Sequence, residues 1–208
     1  MLIAFVHAWD GPHVKYFLET VQGHELWQIT DEKTPELPGC NVFRVPRGTE
    51  GFVLWRARAY AAFNRPGAYL DTDLIVQRDL SPIMALDFDV ALAKTWVIVR
   101  DPKGTNLTEI MPYNGGVVFV KHPEFWPHVV EQIEAMPEKH QNWYGDQFAL
   151  AELAKQYYTL ELPNKLYNYT PKIHEYESGA DLSDKWILHF KGGRKDWMKK
   201  YGNELLRA

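Results

Sequence analysis

The stretch Ala68-Tyr69-Leu70-Asp71-Thr72-Asp73-Leu74-Ile75-Val76 places two carboxylates, one residue apart, at the end of an apolar run. A buried strand that runs into a turn holds Asp71 and Asp73 side by side, because alternate strand residues point the same way. Two converging carboxylates repel each other unless a cation lies between them. A hard divalent metal suits that position, since it takes one or two carboxylates and fills its remaining sites with water or substrate phosphate. Aspartate is also an ordinary turn residue, so the pair by itself leaves an Asx turn and a metal site both open.

On either side of this run, short apolar segments alternate with amphipathic ones, the pattern of an α/β domain. Leu2–Val6, Glu25–Thr30 and Asn41–Val45 read as strands, and Val14–Gln22 as a helix after the turn Asp10-Gly11-Pro12. Residues 52–64, rich in Ala and Arg without a breaker, read as a helix that stops at Arg65-Pro66-Gly67. Downstream, Asp89–Ala93, Gly116–Val120 and Trp186–Phe190 read as strands, Glu124–Ala135 and Tyr144–Gln156 as helices, and the chain closes in a basic tail. Neither an internal repeat nor a linker interrupts residues 1–208, so a single domain is expected, with 190–208 as a basic C-terminal segment.

Composition narrows the setting. With 46% hydrophobic and 24% charged residues, the 208-residue chain reads as an ordinary globular protein large enough for a real core. The single cysteine, Cys40, excludes an internal disulfide and makes a reducing compartment, the cytoplasm, the simpler expectation. Leu2–Val6 is too short for a signal peptide's core, and nothing approaches a membrane span. The net charge of −4 is uneven: residues 185–208 carry seven Lys or Arg against two acids. A basic end on an acidic body suits an anionic ligand, either a phosphate group or an anionic membrane met peripherally, rather than extended nucleic acid. A solvated charged tail is the plainer reading of the same run.

Three further motifs follow the aspartates. Tyr113-Asn114-Gly115-Gly116 sets an amide and two glycines before a strand, where backbone can approach a ligand closely, although Asn-Gly is also a common turn. Gly145-Asp146-Gln147 opens a helix, and Asp146 there either complements the helix dipole or has a function. His189-Phe190-Lys191-Gly192-Gly193-Arg194-Lys195-Asp196-Trp197 combines an imidazole, a flexible turn, cations and an aromatic. Neutral imidazole is an adequate ligand for Mn²⁺, whereas a lone histidine is more often structural.

In this order the motifs resemble the GT-A glycosyltransferases, especially family 8. The resemblance spans about residues 68–197, and His-Phe-x-Gly-x-x-Lys-x-Trp is its most specific part. It implies one GT-A-like, Rossmann-like domain with a mostly parallel central sheet flanked by helices. It further implies Mn²⁺ or Mg²⁺ held by Asp71, Asp73 and His189, and a nucleotide-diphosphate sugar as donor, most readily a UDP-hexose. Gly192 and Lys195 match diphosphate contacts, and Asn114, Gly115, Gly116, Asp146 and Gln147 match residues flanking the sugar and the reaction centre. Asp146, Gln147 and Asn114 are the catalytic candidates, with Thr72 between the aspartates as a donor contact. The acceptor is then a glycan or other hydroxyl compound, and the resemblance favours retention at the anomeric carbon.

Two features depart from that pattern. Asp196 stands where the family usually has proline, and His7-Ala8-Trp9-Asp10 lacks the commoner Asp- and Tyr-containing nucleotide contact. The loop still follows the first strand, the expected nucleotide side of an open α/β sheet, which makes His7 and Trp9 candidates for base or ribose contacts. Arg56 and Arg58, on the helix before the aspartates, are candidate donor contacts, and surface ion pairs explain them as well.

Rival classes share some of these features. An aspartyl-phosphate-type phosphatase also begins with Asp-x-Asp after an apolar strand, but on its first strand and with a later acidic pair. A sugar-1-phosphate nucleotidyltransferase requires a Gly- and Arg-rich loop near the N-terminus, and residues 1–20 hold one glycine and no arginine. A non-catalytic carbohydrate-binding protein accounts for 14% aromatic residues but has no use for the aspartate pair together with the late His-Gly-Lys cluster.

Overall fold

The computed structural model describes residues 1–8, 11–95, 106–142 and 144–205, with the backbone alone for 203–205. Its strands are β1 (Leu2–Val6), β2 (Glu25–Thr30), β3 (Asn41–Arg44), β4 (Gly67–Leu70), β5 (Leu74–Val76), β6 (Val90–Lys94), β7 (Tyr113–Val120), β8 (Thr159–Leu162) and β9 (Ile187–His189). The longer helices are α1 (Val14–Thr20), α2 (Phe52–Phe63), α5 (Phe125–Glu134), α7 (Gly145–Leu153) and α10 (Met198–Leu205). Single turns or little more form α3 (Ser81–Met84), α4 (Leu107–Ile110), α6 (Glu138–Gln141), α8 (Asn164–Tyr167) and α9 (Ile173–Ser178).

Seven strands form one sheet in the order β3-β2-β1-β4-β7-β6-β8. The β3, β2, β1 and β4 strands run parallel, β7 is antiparallel to both β4 and β6, and β8 is parallel to β6. The mostly parallel sheet implied by the resemblance is therefore present, with β7 as the reversed strand.

Strand alternation sorts the core into two layers. Ala4, Tyr69 and Val118 face one side of the sheet with Leu54, Trp55 and Tyr60 of α2, Phe125 and Val129 of α5, and Leu150 of α7. Ile3, Phe5, Leu70, Val117 and Phe119 face the other with Phe17 of α1 and Leu74, Val76 and Ile187 of the smaller β5–β9 pair. Burial on both faces is why these strands read as continuous apolar runs rather than as alternating ones. Tyr60, Tyr69 and Trp126 pack edge-on or tilted at 4.7–5.0 Å between ring centroids, which fixes α2 to the sheet. Each such aromatic pair contributes about 0.5–1.5 kcal/mol beyond its area burial.

Asn64 ends α2 in the left-handed region at φ 42°, one residue before the expected Arg65-Pro66-Gly67 stop. The basic tail differs from expectation: residues 192–197 form a 3₁₀ turn and α10 follows it. Met198 and Tyr201 are buried beside Phe190 in a third apolar cluster, so this segment is packed against the domain by its apolar side. Among the described residues no helix is long and apolar enough to cross a membrane.

Candidate active site

The chain turns out of β4 directly after Leu70, at the same edge where β7 begins, because β4 and β7 run antiparallel with Leu70 opposite Val117. The Asp71 N–H donates to the Gly116 carbonyl at 2.9 Å, which sets the first aspartate against the Asn-Gly-Gly loop. After the turn, β5 pairs antiparallel with β9, placing Leu74 opposite His189, and the Phe190 N–H donates to the Asp73 carbonyl at 2.9 Å. Two short strands thus bring a histidine from the far end of the sequence to the aspartates.

Asp71, Asp73 and His189 each present a donor atom, and these atoms lie within 4.8 Å of one another. His189 Nε2 is 3.1 Å from Asp73 Oδ1 and 3.8 Å from Asp71 Oδ2. The opposite edge of the buried ring, Nδ1, lies 2.7 Å from Asn168 Oδ1, and the Asn168 amide in turn donates from Nδ2 to the Lys94 carbonyl at 2.9 Å. With its amide nitrogen committed, Asn168 accepts from Nδ1–H, so the neutral ring keeps its lone pair on Nε2, facing the carboxylates. That tautomer is the one a metal requires, and a hydrogen bond of this type orients a ligating imidazole. Carboxylate oxygen plus imidazole nitrogen suits Mn²⁺ and accommodates Mg²⁺.

The glycines leave room for this cluster. A Cβ on Gly116 would lie 2.6 Å from Asp71 Oδ2 and 2.5 Å from His189 Cε1, and one on Gly115 would lie 2.7 Å from Asp146 Oδ2. Any side chain at either position would fill the space between the donor groups. Gly192 has φ 61°, a conformation that favours glycine at the turn after β9. The Asn114 side chain accepts from the Gly116 N–H at 3.1 Å and so shapes the loop itself.

Arg56 joins the two halves of the site. Its Nη1 lies 2.7 Å from Asp71 Oδ1, and its Nη2 makes a close ion pair with Asp146 Oδ2. Burial disfavours the charged guanidinium, and the two carboxylates overcome that and hold it above its ordinary range. Asp146 is buried at the start of α7, and its Oδ1 accepts the Gln147 N–H at 2.8 Å. Burial likewise opposes ionisation of Asp73, yet His189 in its protonated, metal-free form and Lys195 outweigh it and hold the carboxyl well below the usual range. Lys195 Nζ is 3.4 Å from Asp73 Oδ2, the oxygen turned away from His189.

The remaining sequence candidates divide. Arg58, two residues beyond Arg56, is turned to Glu134 at 2.8 Å and Glu50 at 3.6 Å, outside the cluster. Residues two apart on a helix do not share a face, so α2 can offer only one of these arginines to the site. His7 is buried at the end of β1, with its N–H donating to the Ile29 carbonyl at 3.0 Å. Thr72 is partly buried in the turn between the aspartates. Trp9 lies outside the described residues. Gln147 borders a cleft of about 100 Å³ with Thr95, Leu107, Thr108, Met111 and Tyr144.

Sequence reading missed three residues. Asn168 had no motif around it, although a polar residue within the Leu166–Tyr169 stretch was its only signal. His13 lies near Lys195, Asp73 and Asp196, and burial, reinforced by Lys195, pushes its imidazole below the ordinary value against those two carboxylates. Lys191 sits inside the late motif, and burial pushes its amine down to about 8 against the pull of Asp71 and Asp73.

No protein-family model matches the sequence, and no curated protein matches it. Solved structures do. The galactosyltransferase LgtC, crystallised with donor and acceptor sugar analogues, superposes with a TM-score of 0.63 at 13% identity, covering 99% of this chain and 95% of LgtC. The fold is that of the GT-A glycosyltransferases. The glycosyltransferase GlyE of Streptococcus pneumoniae TIGR4 gives 0.60 at 16% identity over 99% of this chain, which spans 63% of GlyE. A glycosyltransferase involved in glycosylation of the major capsid of PBCV-1 gives 0.55 at 13%, over 96% and 98% of the two chains.

Proposed function

We propose that this protein is a metal-dependent glycosyltransferase that moves a hexose from a nucleotide-diphosphate sugar, with UDP as the nucleotide, to a hydroxyl of a glycan or other acceptor, with retention at the anomeric carbon. The observation that carries this reading is the bridge made by Arg56. One buried guanidinium ties Asp71, on the side of the metal-competent triad, to Asp146, on the side of the glycine loop and Gln147. A solely structural ion pair has no need of two glycines kept clear of its carboxylates.

A divalent ion held by Asp71, Asp73 and His189 supplies positive charge to the diphosphate of the donor. The chain's own groups account for the rest. Lys195 adds a cation beside Asp73 for the departing nucleoside diphosphate, whose negative charge grows as the sugar bond breaks. Asp146, oriented by Arg56 and the Gln147 N–H, faces the Gly115 gap, where it can hold sugar hydroxyls and oppose the positive charge that develops at the anomeric carbon. The Asn114 loop and Gln147 border the reaction centre. The cleft beyond Gln147, walled by Leu107, Met111 and Tyr144, is the approach for the acceptor.

Calorimetric titration of nucleoside diphosphates with Mn²⁺ and with EDTA tests the reading. UDP binds when Mn²⁺ is present, and Asp71→Asn and Asp73→Asn each weaken that binding at least tenfold. Sugar binding that survives EDTA and both substitutions would instead identify a non-catalytic carbohydrate-binding protein.

A further inference from the structure

Lys191 stands in the late motif at a position that none of the roles above uses. Its backbone is extended, at φ −62° and ψ 139°, and therefore continues the alternation of β9 for one more residue. Leu188 and Phe190 point into the apolar cluster with Met198 and Tyr201, while Ile187 and His189 take the opposite face. Lys191 follows His189 by two residues and so shares the face of the metal-competent triad.

The amine is partly buried there, and the charges acting on it are those of Asp71, Asp73 and Arg194. Among the described residues it has neither a hydrogen bond nor an ion pair. The neighbouring carboxylates are already engaged: Asp71 by Arg56, and Asp73 by His189 and Lys195. Arg194 is turned over the Trp197 ring, 5.7 Å from its centroid. A desolvated ammonium without a partner costs stability, and one on the face of a ligand-binding cluster finds its partner in the ligand.

The charges of the site say which ligand. Asp71 and Asp73 together balance one divalent ion, Arg56 balances Asp146, and Arg194 is committed to the Trp197 ring. Lys191 and Lys195 are then the surplus, and two positive charges match the two negative charges on the diphosphate of a nucleotide sugar. We propose that Lys191 is a second diphosphate-binding cation, acting beside Lys195 on the leaving group. This inference rests on the proposed glycosyl-transfer reading.

The test uses the full chain and its Lys191→Met and Lys191→Arg variants, with Mn²⁺ and whichever of UDP, GDP, ADP and CDP the wild type binds best. Calorimetry gives the affinity, and thermal unfolding without nucleotide reads the fold. Lys191→Met loses tenfold or more in nucleoside diphosphate affinity, because a charge-assisted phosphate contact contributes about that much. Lys191→Arg recovers most of the loss. The Lys191→Met protein unfolds at the same temperature as the wild type or a higher one, since a desolvated charge has been removed. Lys191→Met binding within twofold of wild type overturns the inference and leaves the glycosyltransferase reading standing. A loss of affinity accompanied by a lower unfolding temperature makes Lys191 a structural residue and overturns it as well. A wild type that binds none of the four nucleotides overturns the glycosyltransferase reading and this inference together.

Discussion

Asn168 decides which nitrogen of His189 faces the aspartates. Its carboxamide oxygen accepts from Nδ1 at 2.7 Å, which leaves Nε2 as the ligand atom. Replacing it with alanine frees the ring to rotate and to change tautomer, and losing the hydrogen bond that orients a ligating imidazole costs roughly 10–100-fold in metal affinity. Asn168→Ala is expected to weaken Mn²⁺ binding by that factor, read by isothermal titration, with the circular dichroism spectrum unchanged. Asp73 gives a pH-dependent expectation. Its folded-state pKa is depressed below the ordinary 3.8, so its ion pair with Lys195 contributes stability that is fully present above about pH 4. That contribution is lost as pH falls through the lower folded-state value. Asp73→Asn mimics the protonated carboxyl. It is expected to be less stable than wild type by roughly 0.5–1 kcal/mol at neutral pH, with the urea denaturation curves of the two proteins converging in acid.

At the scale of elements, the loop entering β7 is the part of the site most sensitive to volume. Gly116→Ala would put a methyl group 2.6 Å from Asp71 Oδ2 and 2.5 Å from His189 Cε1. The expected result is a folded protein whose Mn²⁺ affinity falls at least tenfold by titration. The elements themselves were unevenly legible. The β1 and β2 strands and helix α2 emerge from the sequence with nearly their observed bounds, because each is a continuous run closed by turn residues. Two short strands, β5 and β8, were not separated out. For β5, three residues long, strand character comes from pairing with β9, a partner that no local pattern announces. The last segment read as a charged tail because its six Lys and Arg outnumber its two acids, whereas Met198 and Tyr201 suffice to pack α10. Helix periodicity also decides between Arg56 and Arg58, and only a known site direction could have said which of the two faces inward.

Across the whole molecule, the strand order puts β1 between β2 and β4, so the crossovers diverge beside the edge where Asp71 emerges. Ligands of open α/β sheets bind at that switch point. The reversed β7 adds the glycine loop to the same edge, α7 adds Asp146, and the β5–β9 pair returns His189 across it. The motifs of the site were readable because each is a short local string. Their junction through Arg56 and the support from Asn168 exist only once the chain has folded. Whether Asp71, Asp73 and His189 hold one divalent metal is decided by pulsed electron paramagnetic resonance of the protein loaded with Mn²⁺ and UDP. One bound Mn²⁺ per chain with a single directly coordinated imidazole nitrogen is expected, with loss of that coupling in His189→Ala. A spectrum without nitrogen coupling, or one that His189→Ala leaves unchanged, would contradict it.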